Sequence, residues 1–288
     1  MNEKINSNEN FNDILNKSLK RALGGGMSGA AAMGCQVVSL MWLRTTMNYQ
    51  YRYGTNTTTA IKNLYKDGGL RRFYRGVGPA LIQGPLSRFG DTAANTGTMT
   101  LLNSYEETKN LPVVVKSMTS SLVAALWRVN LMPIDTVKTS LQVNGKDGFS
   151  QLIKKYRSNG IGVFYYGTLG TFSATYVGHF PWFATYNYLD STLPEEKTTL
   201  RKFGRSAVIG FCSSAISDTV SNSLRVLKTT KQTYHTQITY LDAGKEVIKK
   251  DGVSGLLGRG LKTRLIANGL QGMLFTILWK SFMELSNN

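Results

Sequence analysis

Cysteine is nearly absent from this chain: Cys35 and Cys212 are the only two in 288 residues. They sit far apart in apolar stretches without metal-ligand spacing, which excludes a disulfide framework and a thiolate metal site. Small buried hydrophobic roles are expected for both. Histidine is equally sparse, and no HExxH, P-loop, CxxC or Ser-His-Asp arrangement occurs. No enzyme, no cofactor and no metal site is therefore expected. Long, uniformly apolar runs are missing as well, and the mean hydropathy of -0.17 argues against a bundle that is apolar throughout. A wet inner face would lower the average in the same way. Acids are half as common as bases, 17 against 34, leaving a net charge of +17. Such an excess calls for an anionic partner, either nucleic acid or an acidic membrane surface. Residues 1–20 are rich in Asn, Lys and Ser, with no apolar core of a signal peptide and no Arg-rich amphipathic helix. A disordered tail over 1–20 is expected, with any organelle address inside the body of the protein.

What is present is a threefold repetition. Three copies of one ten-residue stretch recur at roughly 90–95-residue spacing: Ser39 to Asn48, Pro133 to Gln142 and Ser223 to Gln232. About 35 residues beyond each opening comes Arg75-Gly76, Tyr166-Gly167 or Arg259-Gly260. A polar turn precedes each pair, at Asp67-Gly68, Asn159-Gly160 and Asp251-Gly252. The period is too long for a solenoid of about 20–50-residue units, so three larger structural thirds are expected.

This arrangement resembles the mitochondrial carrier family, whose repeat runs Pro-x-[Asp/Glu]-x-x-[Lys/Arg], then [Asp/Glu]-Gly, an aromatic and [Lys/Arg]-Gly. The resemblance covers about residues 20 to 285, although only the second copy, Pro133-x-Asp135-x-x-Lys138, has the opening in full. It implies an all-α membrane protein: six transmembrane helices in three pseudo-threefold repeats, with short amphipathic surface helices in the matrix loops. The single carrier domain would cover 21–288, in repeats of about 21–103, 113–190 and 203–288. Spans are predicted over 21–44, 77–103, 113–140, 168–190, 203–227 and 261–284, each needing about 20 residues to cross the bilayer. Between them, Ile61, Leu64 and Tyr65, then Phe149, Leu152, Ile153 and Tyr156, then Val247 and Ile248 recur at helical spacing, as in helices lying flat on a membrane. These connections hold most of the loop lysines and arginines, so the positive-inside rule points them to the matrix. Small residues at Gly26-x-x-x-Ala30, Ser120-x-x-x-Ala124 and Gly210-x-x-x-Ser214 suit close helix packing in a membrane. Gly24-x-Gly26-x-x-Gly29 also fits a dinucleotide fingerprint, but no strand leads into it.

Charges within the spans carry the functional expectation. Arg88, Asp91, Arg128 and Asp218 would each cost about 2.5–3.5 kcal/mol facing lipid. They must line water or pair with one another, or the spans are not transmembrane. Arg88, Asp91 and Asn95 share a helix face, and Arg128 and Asp218 each lie five residues before their repeat's opening motif, hence at one depth. In the family that level lines the substrate cavity. The resemblance adds Gln83, Ala174-Thr175 and Ala267-Asn268 at the level where substrates are discriminated, with His179 one turn on. The substrate-binding set is thus Gln83, Arg88, Asp91, Arg128, Thr175, His179, Asp218 and Asn268, and the four charges suit a small charged or zwitterionic metabolite.

Family members close the matrix side with ion pairs between successive opening motifs. Here the bases remain as Arg44, Lys138 and Lys228, but Met41 and Arg225 replace two of the acids, leaving Asp135–Lys228 as the available pair. The opposite gate reads Asn95-Thr96, Tyr186-Asn187 and Trp279-Lys280, with no standard charge pair. The resemblance further implies cardiolipin at the starts of the even helices, at Gly76, Gly167 and Gly260, with Arg75 and Arg259 adding charge. It implies a monomeric, multi-pass carrier of the mitochondrial inner membrane with no nucleic-acid partner. Two other readings stay open: a carrier fold serving as scaffold or receptor, and a soluble basic helical protein that binds nucleic acid. The latter needs basic and aromatic residues on one face, whereas the aromatics here cluster in the spans.

Overall fold

The computed structural model describes residues 26–194 and 198–286. The expected tail and the start of the glycine-rich run lie outside them. Among the described residues all regular structure is helical. Six long rods dominate: α1 (Gly26–Tyr53), α3 (Val77–Ser104), a jointed rod of α5 (Val113–Asn130) and α6 (Met132–Asn144), α8 (Thr168–Thr192), α9 (Thr199–Thr233) and α11 (Leu261–Ser286). Three shorter helices, α2 (Thr57–Phe73), α7 (Gly148–Asn159) and α10 (Tyr240–Gly258), connect the two rods of each repeat, and α4 (Glu106–Lys109) is one turn between repeats.

Among the odd rods, proline decides which one breaks. Pro133 stands in the first turn of α6, where it supplies no N–H to the turn before it, and the rod breaks at Leu131. Ser39 and Ser223 occupy the same place in the other repeats, and there α1 and α9 run unbroken for 28 and 35 residues.

Each rod packs on its neighbours in the chain, and α11 returns to α1, closing a ring of six. The second halves of the odd rods, α1, α6 and α9, also touch one another, so the ring is shut at that converging end. Outward positions are apolar and inward ones polar. On α5, Val114, Val115, Met118, Leu122, Val123 and Leu126 are exposed while Ser117, Ser120 and Ser121 are buried. Taken singly, no helix among the described residues is long and apolar enough to cross a membrane. The inward serines, threonines and charges lower every window.

The small-residue expectation needs one correction. Ser120 and Ala124 are buried in the α5 contact, but in α9 the packed positions lie one residue earlier than predicted. Ser213 is buried, and Ser217 and Ser221 meet α8 at Gly178, with Ser217 Oγ donating to the Gly178 carbonyl at 2.6 Å. Gly210 has open space where a Cβ would sit. One residue is about 100° of helix, enough to turn Gly210 away from the contact.

The connecting helices anchor through buried apolar residues: Ala60, Leu64 and Phe73 in α2, Leu152 in α7, and Ala243 and Val247 in α10. Tyr65, Phe149, Tyr156 and Ile248, from the same predicted faces, are exposed. Caps set their starts: Asn56 accepts from the Thr59 N–H, and Thr239 with Asp242 forms a reciprocal capping box.

These helices also lock the ring. Arg72 of the first repeat is buried, pairs with Asp67 and donates to the carbonyls of Gln142 and Val143 at 2.8 Å in the second. Lys155 of the second reaches the Gln232 carbonyl of the third at 3.4 Å. Arg259 of the third pairs with Asp251 and donates to the carbonyls of Tyr51 and Arg52 in the first. Every odd rod therefore ends on a cation from the preceding repeat, where free carbonyls and the negative dipole end favour positive charge.

Lys155 is the titrating member of this set. Burial, with Arg52 nearby, lowers its pKa from 10.5 to about 8. The unfolded chain then holds more protons than the folded one between pH 8 and 10.5, so this group makes stability rise through that window. Thermal melts of Lys155→Met should lack that rise. An unchanged pH profile in the variant would count against the assignment.

Candidate functional site: a charged interior above a single-carboxylate gate

Inside the ring the expected residues fall into three groups. The first joins α3, α5 and α8. Arg128 holds Asp91 with both arms of its guanidinium, Nε–Oδ1 at 3.1 Å and Nη2–Oδ2 at 2.6 Å, and reaches Thr175 Oγ1 at 3.4 Å. Both charged side chains keep 29% exposure. Arg88, one turn earlier on the α3 face that carries Asp91, is exposed and has no partner among the described residues.

The second group joins α9 and α11. Asp218, 6% exposed, takes Arg264 at 2.7 Å, Arg225 at 3.6 Å and a short hydrogen bond from the Asn268 amide. Arg225, which stands at an acid position of the gate motif, turns toward Asp218, seven residues earlier on its own helix. Arg264 had no predicted role, although its place four residues before Asn268 puts it on the same helix face.

Arg128 and Asp218 occupy equivalent places in the second and third repeats, and the first repeat has Gly34 there. Nothing lies within 4 Å of where a Gly34 Cβ would be. One corner of this level is therefore open space.

The third group forms the floor. Asp135 receives Lys138 at 2.7 Å and Lys228 at 2.6 Å, plus the Gln232 amide at 3.4 Å. Lys228 is the base of the next repeat, so this one carboxylate ties the second repeat to the third. Lys138 also donates to Gln83 Oε1 at 2.8 Å, which places Gln83 at the floor. The remaining base, Arg44, finds no acid among the described residues and donates to Gln271 Oε1 of α11 at 3.1 Å. Amides fill in for the missing charges. Asn48, Gln142 and Gln232 close the three ten-residue copies, and Asn48 donates to Gln142 at 2.6 Å while the Gln142 amide meets the Met41 sulfur at 3.6 Å. The repetition of an amide at the tenth position of each copy was the signal for this layer.

His179 stands apart from the ion pairs. Its Nδ1 shares a 2.5 Å hydrogen bond with Ser121 Oγ, and it lines a largely apolar groove between α5 and α8 with Met118, Val177 and Phe180. At the far end, Asp190 pairs with Arg205 at 2.6 Å and Asn95 accepts from Ser120 at 3.2 Å. The side chains of Thr96, Trp279, Lys280 and Met283 lie outside the described residues.

The glycines at the even-helix starts have a packing role. A Cβ on Gly76 would meet the Lys138 carbonyl at 2.9 Å, one on Gly167 the Gln232 side chain at 2.6 Å, and one on Gly260 the Tyr51 ring at 2.8 Å. Each allows its repeat to press against the odd rod of the next. Arg259 was expected to face a lipid phosphate. It is instead 6% exposed and spent on Asp251 and the carbonyl cap, because a guanidinium fits the carbonyl ends of α1 better than open surface. Arg75 is the arginine of this set left without a partner among the described residues.

A closed ring of three helix pairs, with a charged interior and ion-paired odd helices at one end, is the architecture of a membrane solute carrier. The sequence model described as "Mitochondrial carrier protein" matches residues 16–106, 109–197 and 200–288, three copies covering nearly the whole length. The chain belongs to the mitochondrial carrier family. It is 26% identical over 202 residues to a mitochondrial carrier-like protein of Acanthamoeba polyphaga mimivirus, covering 70% of this chain and 76% of the relative. It is 26% identical over 228 residues to a calcium-binding mitochondrial carrier of Saccharomyces cerevisiae, covering 68% and 41%. It is 27% identical over 186 residues to a mitochondrial coenzyme A transporter of Danio rerio, covering 59% and 57%. The match thus spans about half the length of the latter two. Family members are transporters of small molecules, and the relatives imply a mitochondrial inner membrane protein.

Proposed function

We propose that this chain moves an anionic metabolite across the mitochondrial inner membrane by alternating access, and that the structure is its matrix-closed state. The observation behind this reading is charge. Four guanidinium groups, Arg88, Arg128, Arg225 and Arg264, line the interior above the floor, against the carboxylates Asp91 and Asp218. The excess of two positive charges favours an anion over the zwitterion that two arginines and two aspartates had suggested. Arg88 is the side chain free to meet it. One relative is named for coenzyme A, a phosphate-bearing anion, which supports the class without identifying the solute.

In this reading the six rods cross the bilayer together, with exposed Val, Leu, Ile and Phe on lipid and the polar faces around water. The connecting helices, with Tyr65, Phe149 and Ile248 outward, lie at the matrix surface. Acidic lipid, cardiolipin among the candidates, sits at the starts of α3, α8 and α11, with Arg75 adding a cation at the first. The carrier works as a monomer and takes no nucleic acid.

Uptake into proteoliposomes, comparing multivalent anions with cations, tests the reading. Arg88→Gln should raise the KM for the transported anion about tenfold, the loss of one charge-assisted hydrogen bond. Its melting temperature should not change, since no protein partner is stranded. Preferred uptake of a cation, or an Arg88 variant with wild-type KM, would overturn it. The far-end gate lacks its charge pairs, which favours the scaffold reading if no solute is moved at all.

A further inference from the structure

The converging end carries, on its outer face, a cavity of about 210 Å3 that the transport reading does not use. All three repeats wall it: Tyr49 and Tyr53 of α1 with Asn63 of α2, Asn144 of α6 with Gln151 of α7, and His235 just after α9. The two tyrosine rings are 4.6 Å apart and form an aromatic wall. Opposite them are groups with unused hydrogen-bonding capacity. Asn144 spends its amide N–H groups on Gln151 Oε1 at 3.1 Å and the Thr233 carbonyl at 3.4 Å, which leaves the Asn144 oxygen and the Gln151 amide nitrogen open. Asn63 is exposed and has no partner among the described residues. The charges in the lining, Asp67 and Arg72, neutralise each other at 2.5 Å.

We propose that this cavity binds a planar, neutral heteroaromatic group, a nucleobase, and that its occupant holds the matrix gate shut. Aromatic faces take the flat of such a ring, while separate amide donors and acceptors suit its edge. A net-neutral lining gives no preference to an ion. The volume is below the roughly 300–1,000 Å3 of sites for drug-sized ligands, enough for a base and too small for a whole nucleotide. The effect on the gate follows from the walls. Opening the matrix side must part α1, α6 and α9, and a ligand touching the ends of all three binds the closed ring better than the open one. That last step rests on the alternating-access reading above; the binding itself does not.

The test uses the full-length carrier in lipid nanodiscs, with adenosine, adenosine monophosphate, ribose and inorganic phosphate as probes. Adenosine and its monophosphate should raise the melting temperature, and ribose and phosphate should not. Asn63→Ala, at an exposed position, and Gln151→Leu should each abolish the shift, while Arg128→Gln in the interior should keep it. In proteoliposomes adenosine should slow uptake only when added on the side of the converging end. No shift, or a shift lost in Arg128→Gln and kept in the two cavity variants, overturns the proposal. A shift dependent on Asn63 and Gln151 in a protein that moves no solute would sink the transport reading and leave the site standing.

Discussion

Asp135→Asn should unlatch the matrix side. In the wild-type protein this 5%-exposed carboxylate is shared by Lys138 and Lys228, and among the described residues no second acid supports the floor. Neutralising it leaves two ammonium groups facing each other around an amide, so attraction becomes repulsion. Removing one partner of a buried charge cluster costs about 3–5 kcal/mol, against about 0–1 kcal/mol for an exposed pair. Here the closed state carries that cost, so the open state gains population. A cysteine placed at Gly34, in a background with Cys35 and Cys212 replaced, reports the change. An impermeant thiol reagent applied from the matrix side should label it at least about tenfold faster in the Asp135 variant, even if only 1.4 kcal/mol of the loss falls on the gate. Adding Lys228→Gln should restore part of the protection by removing one stranded cation. Equal labelling of wild type and Asp135→Asn would show that the amide layer of Asn48, Gln142 and Gln232 closes the floor unaided.

Asp218→Asn should damage the fold, whereas Arg128→Gln should damage transport. From the sequence both belonged to one cavity-lining level and invited one expectation. Geometry separates them. Asp218 is nearly sealed and holds Arg264, Arg225 and Asn268, so neutralising it strands two arginines that are themselves only 18% and 21% exposed, at about 3–5 kcal/mol. At about 2–4 °C per kcal/mol for a chain of this order, the melting temperature should fall by roughly 10 °C. Arg128 and Asp91 remain 29% exposed, and water can solvate the carboxylate left behind. Arg128→Gln should therefore melt within a few degrees of wild type with uptake lost. Melting and uptake measured on both variants decide the matter; the reverse pattern would make Asp218 the solute contact.

The threefold organisation could be read from the chain because repetition is a local property of sequence. The odd-rod kink followed from one residue, Pro133 against Ser39 and Ser223, and the connecting helices from apolar spacing. Which charges face which partner was harder. A helix face is fixed by spacing, but the choice among partners on other helices depends on rotation of about 100° per residue and on side-chain reach. That is why Arg225 read as a gate residue and turned out to neutralise Asp218, and why Arg264 was missed. Arg259 misled for a related reason: a basic residue beside a helix start suits a phosphate, yet the carbonyl ends of α1 are 208 positions away in sequence and no local pattern reveals them. The α9 packing stripe slipped by one residue because Ser213 and Ser214 are adjacent and equally small.

The cation caps pass from the first repeat to the second, the second to the third, and the third back to the first. During synthesis this makes the earliest segment the last to be finished. The carbonyls of Tyr51 and Arg52 emerge early, but their guanidinium is added some 207–208 residues later. At about 5–20 residues per second that is a wait of roughly 10–40 s. For that time the end of α1 must borrow hydrogen bonds from water, lipid headgroups or a chaperone. The native arrangement then arrives as a single closing event when α10 and α11 come into place. A chain truncated before Arg259 should consequently leave its N-terminal third open to protease, even though every residue of that third is present.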